Sequence, residues 1–192
     1  MNLKDFCLQH NFTLKDKIDF EWDRYDGIPS VTTILKLIED PFEYVKRAYP
    51  QEVEKACDNG KIVHKDAEDF FKRNSSYEVS PQIMKFHVLY DITPIHFEER
   101  FIKDGIQGSI DIINVGRLNK DMNIDYKNTQ MHSVKYFVQL MYKYLNGLDL
   151  LVYAGKKLKV IEVPNEYFQV FVELRELFFK LKDFDNNNSQ EK

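Results

Sequence analysis

The stretch "IQGSIDIINVGRLNKDMNIDYKNT", residues 106–129, decides the fold. It holds two runs with a period of two, IQGSIDIINV (106–115) and MNIDYKN (122–128), around the turn-forming segment RLNKD (117–121). A strand with that period has two distinct faces. Ile110 and Ile112 fall on one face of the first run, and Ser109, Asp111 and Ile113 on the other. In the second run Ile124 and Tyr126 share one face while Asp125 and Lys127 share the opposite one. Charges on a half-buried strand are costly unless something pairs with them or uses them. With the two strands as neighbours in suitable register, Asp111, Asp125 and Lys127 meet on one surface.

Working outward, the segment ITPIHFEERFI (92–102) alternates in the same way and joins residue 106 through KDG (103–105), a strong hairpin signal. Downstream, the spacing predicts a helix from about His132 to Leu145, closed by Gly147. Residues 149–163 read as strand, Gly-Lys-Lys turn and strand, and 165–182 as an apolar-striped helix. Upstream, the pattern predicts a long helix over 52–74 with Gly60 inside it, and a helix over 80–92 capped by Ser80 with Pro81 in its first turn. Two short helices are expected at SVTTILKLIED (30–40), capped by Ser30 or Thr32, and at PFEYVKRA (41–48). Residues 12–22 fit either two short strands or an irregular arm.

The expected fold class is therefore α/β in the mixed α+β sense: a central mixed β-sheet flanked by helices. The 192 residues fit one domain, taken as 1–182, followed by a frayed tail over 183–192. Cys7 and Cys57 form no close pair and cannot build a zinc finger or a four-cysteine cluster. No apolar run approaches the length of a membrane span, so no membrane partner is expected and a cytoplasmic location is the default. The formal net charge of −4 gives no global basic field, yet a bound cation and local lysines can reverse the sign of a cleft.

The acidic pair carries the chemistry. Two carboxylates a few ångströms apart stay ionised together only with a cation between them. Oxygen ligands of this hardness suit Mg²⁺ or Mn²⁺. Such an ion activates water and stabilises charge growing on a phosphate, and a nearby ammonium assists both. A solvated edge strand with a salt bridge would carry the same Asp-x-Lys pattern.

The ordered set GKIVH (60–64), FEE (97–99), GSID (108–111), DYK (125–127) and QLMYKY (139–144) resembles the PD-(D/E)XK nuclease superfamily, in its RecB-like, Cas4-like and phage-exonuclease branch. The resemblance spans roughly residues 30–163. It implies a restriction-endonuclease-like core. It also implies Asp111 and Asp125 as metal ligands, Lys127 as the catalytic lysine, His64 at the rim against metal or substrate phosphate, and Glu98 or Glu99 as the acidic residue of the preceding strand, with Glu99 included among the metal ligands. Gln139 matches the glutamine of a Q-x-x-x-Y helix motif, but Lys143 stands where that motif has tyrosine; Tyr142 and Tyr136 are the aromatic alternatives. The cysteines of the iron–sulfur members are missing.

The activity implied is a Mg²⁺- or Mn²⁺-dependent deoxyribonuclease, an exonuclease acting on DNA ends or single strands in repair or recombination. The rivals are a structure-selective endonuclease of the same fold and a catalytically inactive relic that binds DNA or a protein partner. Candidate phosphate contacts are Arg100, Lys103, Lys120, Tyr142, and a Lys135–Gln139–Lys143 ridge spaced four residues apart on one helix face. Asn128 and Thr129 lie just past the catalytic strand. A homo-oligomer or a recombination or replication partner is compatible with such an activity.

Overall fold

The computed structural model describes residues 1–21, 27–39, 47–72, 80–92, 94–115, 121–127, 133–141, 148–154 and 157–190. The alternating stretch behaves as its period requires. Strands β3 (Pro94–Lys103), β4 (Ile106–Val115), β5 (Asp121–Lys127), β6 (Leu148–Ala154) and β7 (Leu158–Glu162) form a five-stranded sheet in that spatial order. All pairings are antiparallel except β5 with β6, which is parallel. A parallel pair cannot be joined by a tight turn, and α5 (Lys135–Met141) lies in the connection. The mixed α+β class read from the sequence is the class found.

The β3–β4 hairpin turns on Asp104 and Gly105, both at positive φ (51° and 74°), between the paired residues Lys103 and Ile106. That is the backbone a two-residue Asp-Gly loop favours. Helices cover both faces of the sheet. On one face Met122, Ile124, Tyr126, Leu150 and Val152 pack with Val63 and Ala67 of α3 (Pro50–Phe71) and with Ile83 and Phe86 of α4 (Pro81–Tyr90). On the other, Ile113, Leu151 and Tyr153 pack with α1 (Leu3–His10), α2 (Val31–Ile34), α5 and α6 (Tyr167–Gln190). Phe171 and Phe178 of α6 are fully buried there, with Phe137 and Phe179 packed against the cluster.

Three elements differ from the sequence reading. Helix α1 was not anticipated. Its signals are Asn2, whose side chain caps Asp5 N at 2.8 Å, and the alternation of buried Leu3, Phe6 and Cys7 with polar residues. The expected helix over 30–40 is a single turn capped by Ser30, then a 3₁₀ turn (Leu35–Leu37), then β2 (Ile38–Glu39), which pairs with β1 (Thr13–Leu14). Its β-branched, apolar residues bury against the core whichever backbone they adopt, so their spacing could not separate helix from strand. Helix α6 continues past residue 183 to Gln190. The expected helix over 41–48 lies mostly outside the described residues.

Gly60 sits mid-way along α3, and a Cβ added there would meet none of the described residues within 4 Å. Packing inside the fold therefore does not require glycine. We expect Gly60→Ala to raise stability by roughly 0.5–1 kcal/mol, measured by urea denaturation, because alanine loses less backbone freedom on entering a helix.

Candidate functional site

The ladder between β4 and β5 runs from Val115 opposite Asp121 to Ile112 opposite Ile124. Beyond that point the Tyr126 N–H donates to the Asp111 carboxylate (Oδ2, 2.8 Å) instead of to a strand carbonyl. A side chain has taken the place of the ladder, and the two strands part there. Ile124 and Tyr126 remain fully buried against α3 and α4, as their face requires. Asp125 and Lys127 share the other face, with Lys127 Nζ 2.6 Å from Asp125 Oδ2. The contact is an ion pair rather than an aligned hydrogen bond. His64, from α3, reaches Asp111 with its Nδ1 3.1 Å from Oδ2. Asp111, the Asp125–Lys127 pair and His64, from three separate parts of the chain, thus meet where the β4–β5 ladder ends.

The charges are nearly dry. Side-chain exposure is 10% for Asp111, 13% for Asp125 and 15% for Lys127. Burial pushes the Asp111 carboxyl above the usual carboxylate range, and the charge of Asp125 pushes it further. The His64 contact and the Tyr126 N–H pull the other way without cancelling that rise. For Lys127, burial works against the charge, but Asp125 and then Asp111 outweigh it and hold the ammonium above the ordinary lysine value. Two neighbouring carboxylates, one of them unwilling to ionise, have the oxygen chemistry that a hard divalent cation takes. Asp111 and Asp125 would hold it, with His64 beside them. Among the described residues no group of three or more His, Cys, Asp or Glu side chains converges as a metal site.

Asp125 also borders a cleft of about 590 Å³. Its polar walls are Ser30 and Thr32 from the α2 segment, Arg100 from β3, Gln107 and Ser109 from β4, and Gln139 from α5. Of the predicted site residues, Asp125, Arg100 and Gln139 share this cleft. The sequence reading took Ser30 and Thr32 as candidate helix caps and gave Gln107 and Ser109 no role. The α2 segment reaches the cleft because Gln107 Nε2 donates to Ile28 O (2.6 Å) and Gln107 N to Pro29 O (3.0 Å), contacts that no local pattern announces.

No family model and no curated protein matches the chain. Among solved structures, the crystal structure of SSO0001 is similar, with a TM-score of 0.45 and 16% sequence identity, covering 80% of this chain and 78% of that one.

The remaining predicted residues divide. Register sets Phe97 opposite Ile112 and Glu99 opposite Ile110, so Glu98 is level with Asp111. The side chains of both glutamates lie outside the described residues. So do Lys120, Asn128, Thr129, Tyr142 and Lys143 entirely. Lys103 is exposed beside the hairpin turn. Lys135 does not stand on an open phosphate ridge: its ammonium donates to Ile38 O at 2.5 Å and lies 6.0 Å from the Phe12 ring, which ties α5 to the β2 segment. Spacing of four put it on a helix face, and the β2 segment happens to cover that part of the face. Tyr136 lies at the site, with Lys127 Nζ 4.8 Å from its ring centroid.

The raised Asp111 has a consequence for folding. Its proton is held more tightly in the folded chain than in the unfolded one. Its stabilising contribution is thus complete below the ordinary value of 3.8 and is lost as pH rises through the raised value. Asp111→Asn removes that loss. Without divalent cations, denaturation from pH 4 to 8 should show the variant gaining on wild type toward the upper end.

Proposed function

We propose that this chain is a metal-dependent DNA nuclease with a restriction-endonuclease-like core of the PD-(D/E)XK kind, hydrolysing phosphodiester bonds. One observation carries the reading: a buried pair of carboxylates, Asp111 and Asp125, lies beside an ammonium 2.6 Å from Asp125, and Asp125 borders a cleft. Such a pair holds excess negative charge out of water, which a hard divalent cation would relieve. When bound, the cation supplies activation of water and stabilisation of charge on the phosphate.

The chain's own residues supply the rest. Asp111 and Asp125 bind the cation and fix its place relative to the cleft. Lys127, kept charged by the two aspartates, donates hydrogen bonds to a water or to a phosphate oxygen as charge grows there. His64 orients the Asp111 carboxylate and stands beside it. Arg100, which also lines the cleft, would meet a backbone phosphate, and Gln139, Ser30 and Thr32 would offer hydrogen bonds to the strand. The sequence shows no base-reading element, so hydrolysis that tracks the backbone is proposed rather than sequence-specific cutting. The assignment of DNA ends or single strands as substrate rests on the family resemblance.

The test is digestion of 5′-labelled and 3′-labelled linear DNA and of circular single strands, with Mg²⁺ or Mn²⁺. We expect linear strands to be degraded and circles spared, and Asp125→Ala or Lys127→Ala to slow the reaction by roughly a hundredfold or more. Cleavage of the circles would favour a structure-selective endonuclease. Binding without hydrolysis under either ion, unchanged in Asp125→Ala, would sink the nuclease reading.

A cation-binding arm needs no turnover. Millimolar Mn²⁺ should raise the thermal midpoint of the wild-type chain by a few degrees, since a ligand that binds only the folded state stabilises it. The rise should vanish in Asp111→Ala/Asp125→Ala.

A further inference from the structure

We propose that Tyr136 is a positioning residue for Lys127: its ring holds the lysine ammonium against Asp125, which borders the cleft. The functional side of this inference rests on the nuclease reading of the same site, where Lys127 must point at the reacting phosphate.

The geometry is direct. Lys127 Nζ lies 4.8 Å from the Tyr136 ring centroid, inside the range of about 6 Å over which a ring attracts a cation. On its other side the ammonium meets Asp125 Oδ2 at 2.6 Å. The side chain is 15% exposed, so water does little to weaken either contact. Asp125 alone would not fix the lysine. Two residues apart on one strand face, the pair can meet in several arrangements of a four-carbon stem. A ring on the far side removes most of them. Tyr153, level with Lys127 on the adjacent strand β6, is buried.

The ring is itself held firmly. Tyr136 stands in the first turn of α5, where its N–H donates to Ser133 O at 3.0 Å. Its neighbour Lys135 ties the helix to Ile38 O. One turn further on, Gln139 borders the cleft together with Asp125. A single short helix therefore carries both a wall of the cleft and the ring over the lysine. The contact uses the ring face and needs no hydroxyl, so phenylalanine should serve in place of tyrosine.

The test has two arms on the full chain. In the first, the ε-methylene protons of Lys127 are observed by NMR, with Lys127→Met for assignment and no metal or DNA present. Protons over a ring face are shifted upfield. We expect that shift in wild type and Tyr136→Phe, and its loss in Tyr136→Leu. In the second arm, Tyr136→Leu should lower kcat for DNA cleavage roughly tenfold with KM within about twofold, the equivalent of about 1.4 kcal/mol in the barrier. Tyr136→Phe should keep the wild-type kcat, and Tyr136→Leu should cost nothing further in a Lys127→Met background. Unshifted Lys127 protons in wild type overturn the proposal even if Tyr136→Leu fails to fold. So does a Tyr136→Phe variant as slow as Tyr136→Leu. A wild-type chain that keeps the NMR shift but cleaves no DNA with Mg²⁺ or Mn²⁺ overturns the nuclease reading and supports the placement of Lys127 by Tyr136.

Discussion

The hydrogen bond from the Tyr126 N–H to the Asp111 carboxylate is the contact on which the rest of the site depends. A backbone donor in a sheet interior must find an acceptor, and neighbouring strands usually supply it. Here a side chain does so, and β4 is released from β5 at that residue. The consequences follow in order. Asp111 is drawn into the sheet, out of water and toward Asp125. Lys127 loses its strand neighbour on the β4 side, and a helix approaches it instead. Residues of the β3–β4 hairpin line the cleft that Asp125 borders.

A sheet packed on both faces can tolerate that local break. The five strands are buttressed by α3 and α4 on one side and by α1, α2, α5 and α6 on the other. Tyr126, next to Asp125 in the chain, is fully buried in one of those cores, and Leu151, opposite Asp125 on β6, is fully buried in the other. Charged groups held by such surroundings have few alternative positions. Whatever they bind is met by a preorganised set rather than by one assembled on demand. The cost is a buried carboxylate that prefers its proton.

The legibility of all this in the sequence divides along physical lines. Period-two alternation fixed β3, β4 and β5 and the faces of Asp125 and Lys127, because a strand's side chains obey a local rule. The Asp-Gly hairpin was equally plain, since few residue pairs accept two positive φ values. Helix α1 went unread because its buried residues are few and its cap is a single asparagine. The 30–40 segment was misread because an apolar, β-branched run is buried in any conformation. The cleft was not legible at all. It is made by Gln107 gripping Ile28 and Pro29 from far along the chain, and by an α2 segment that serves as helix cap and cleft wall together. The Lys127–Tyr136 contact crosses from a strand to a helix, so only a missing motif tyrosine hinted that another ring had taken up a place there.

Helix α1 docks on α6, and Leu3 N donates to the Glu173 carboxylate at 2.8 Å across 170 residues of chain. During synthesis on a ribosome, α1 emerges long before the surface that receives it exists. Phe6, which ends fully buried against Tyr167, must wait in water through the making of the whole sheet. Closure of the fold is therefore a late event that joins the two ends of the described chain, and the face bearing Asp125 and the cleft is the one it covers. A nascent chain halted before residue 167 would carry both aspartates and the lysine, yet lack the last helix that covers their side of the sheet.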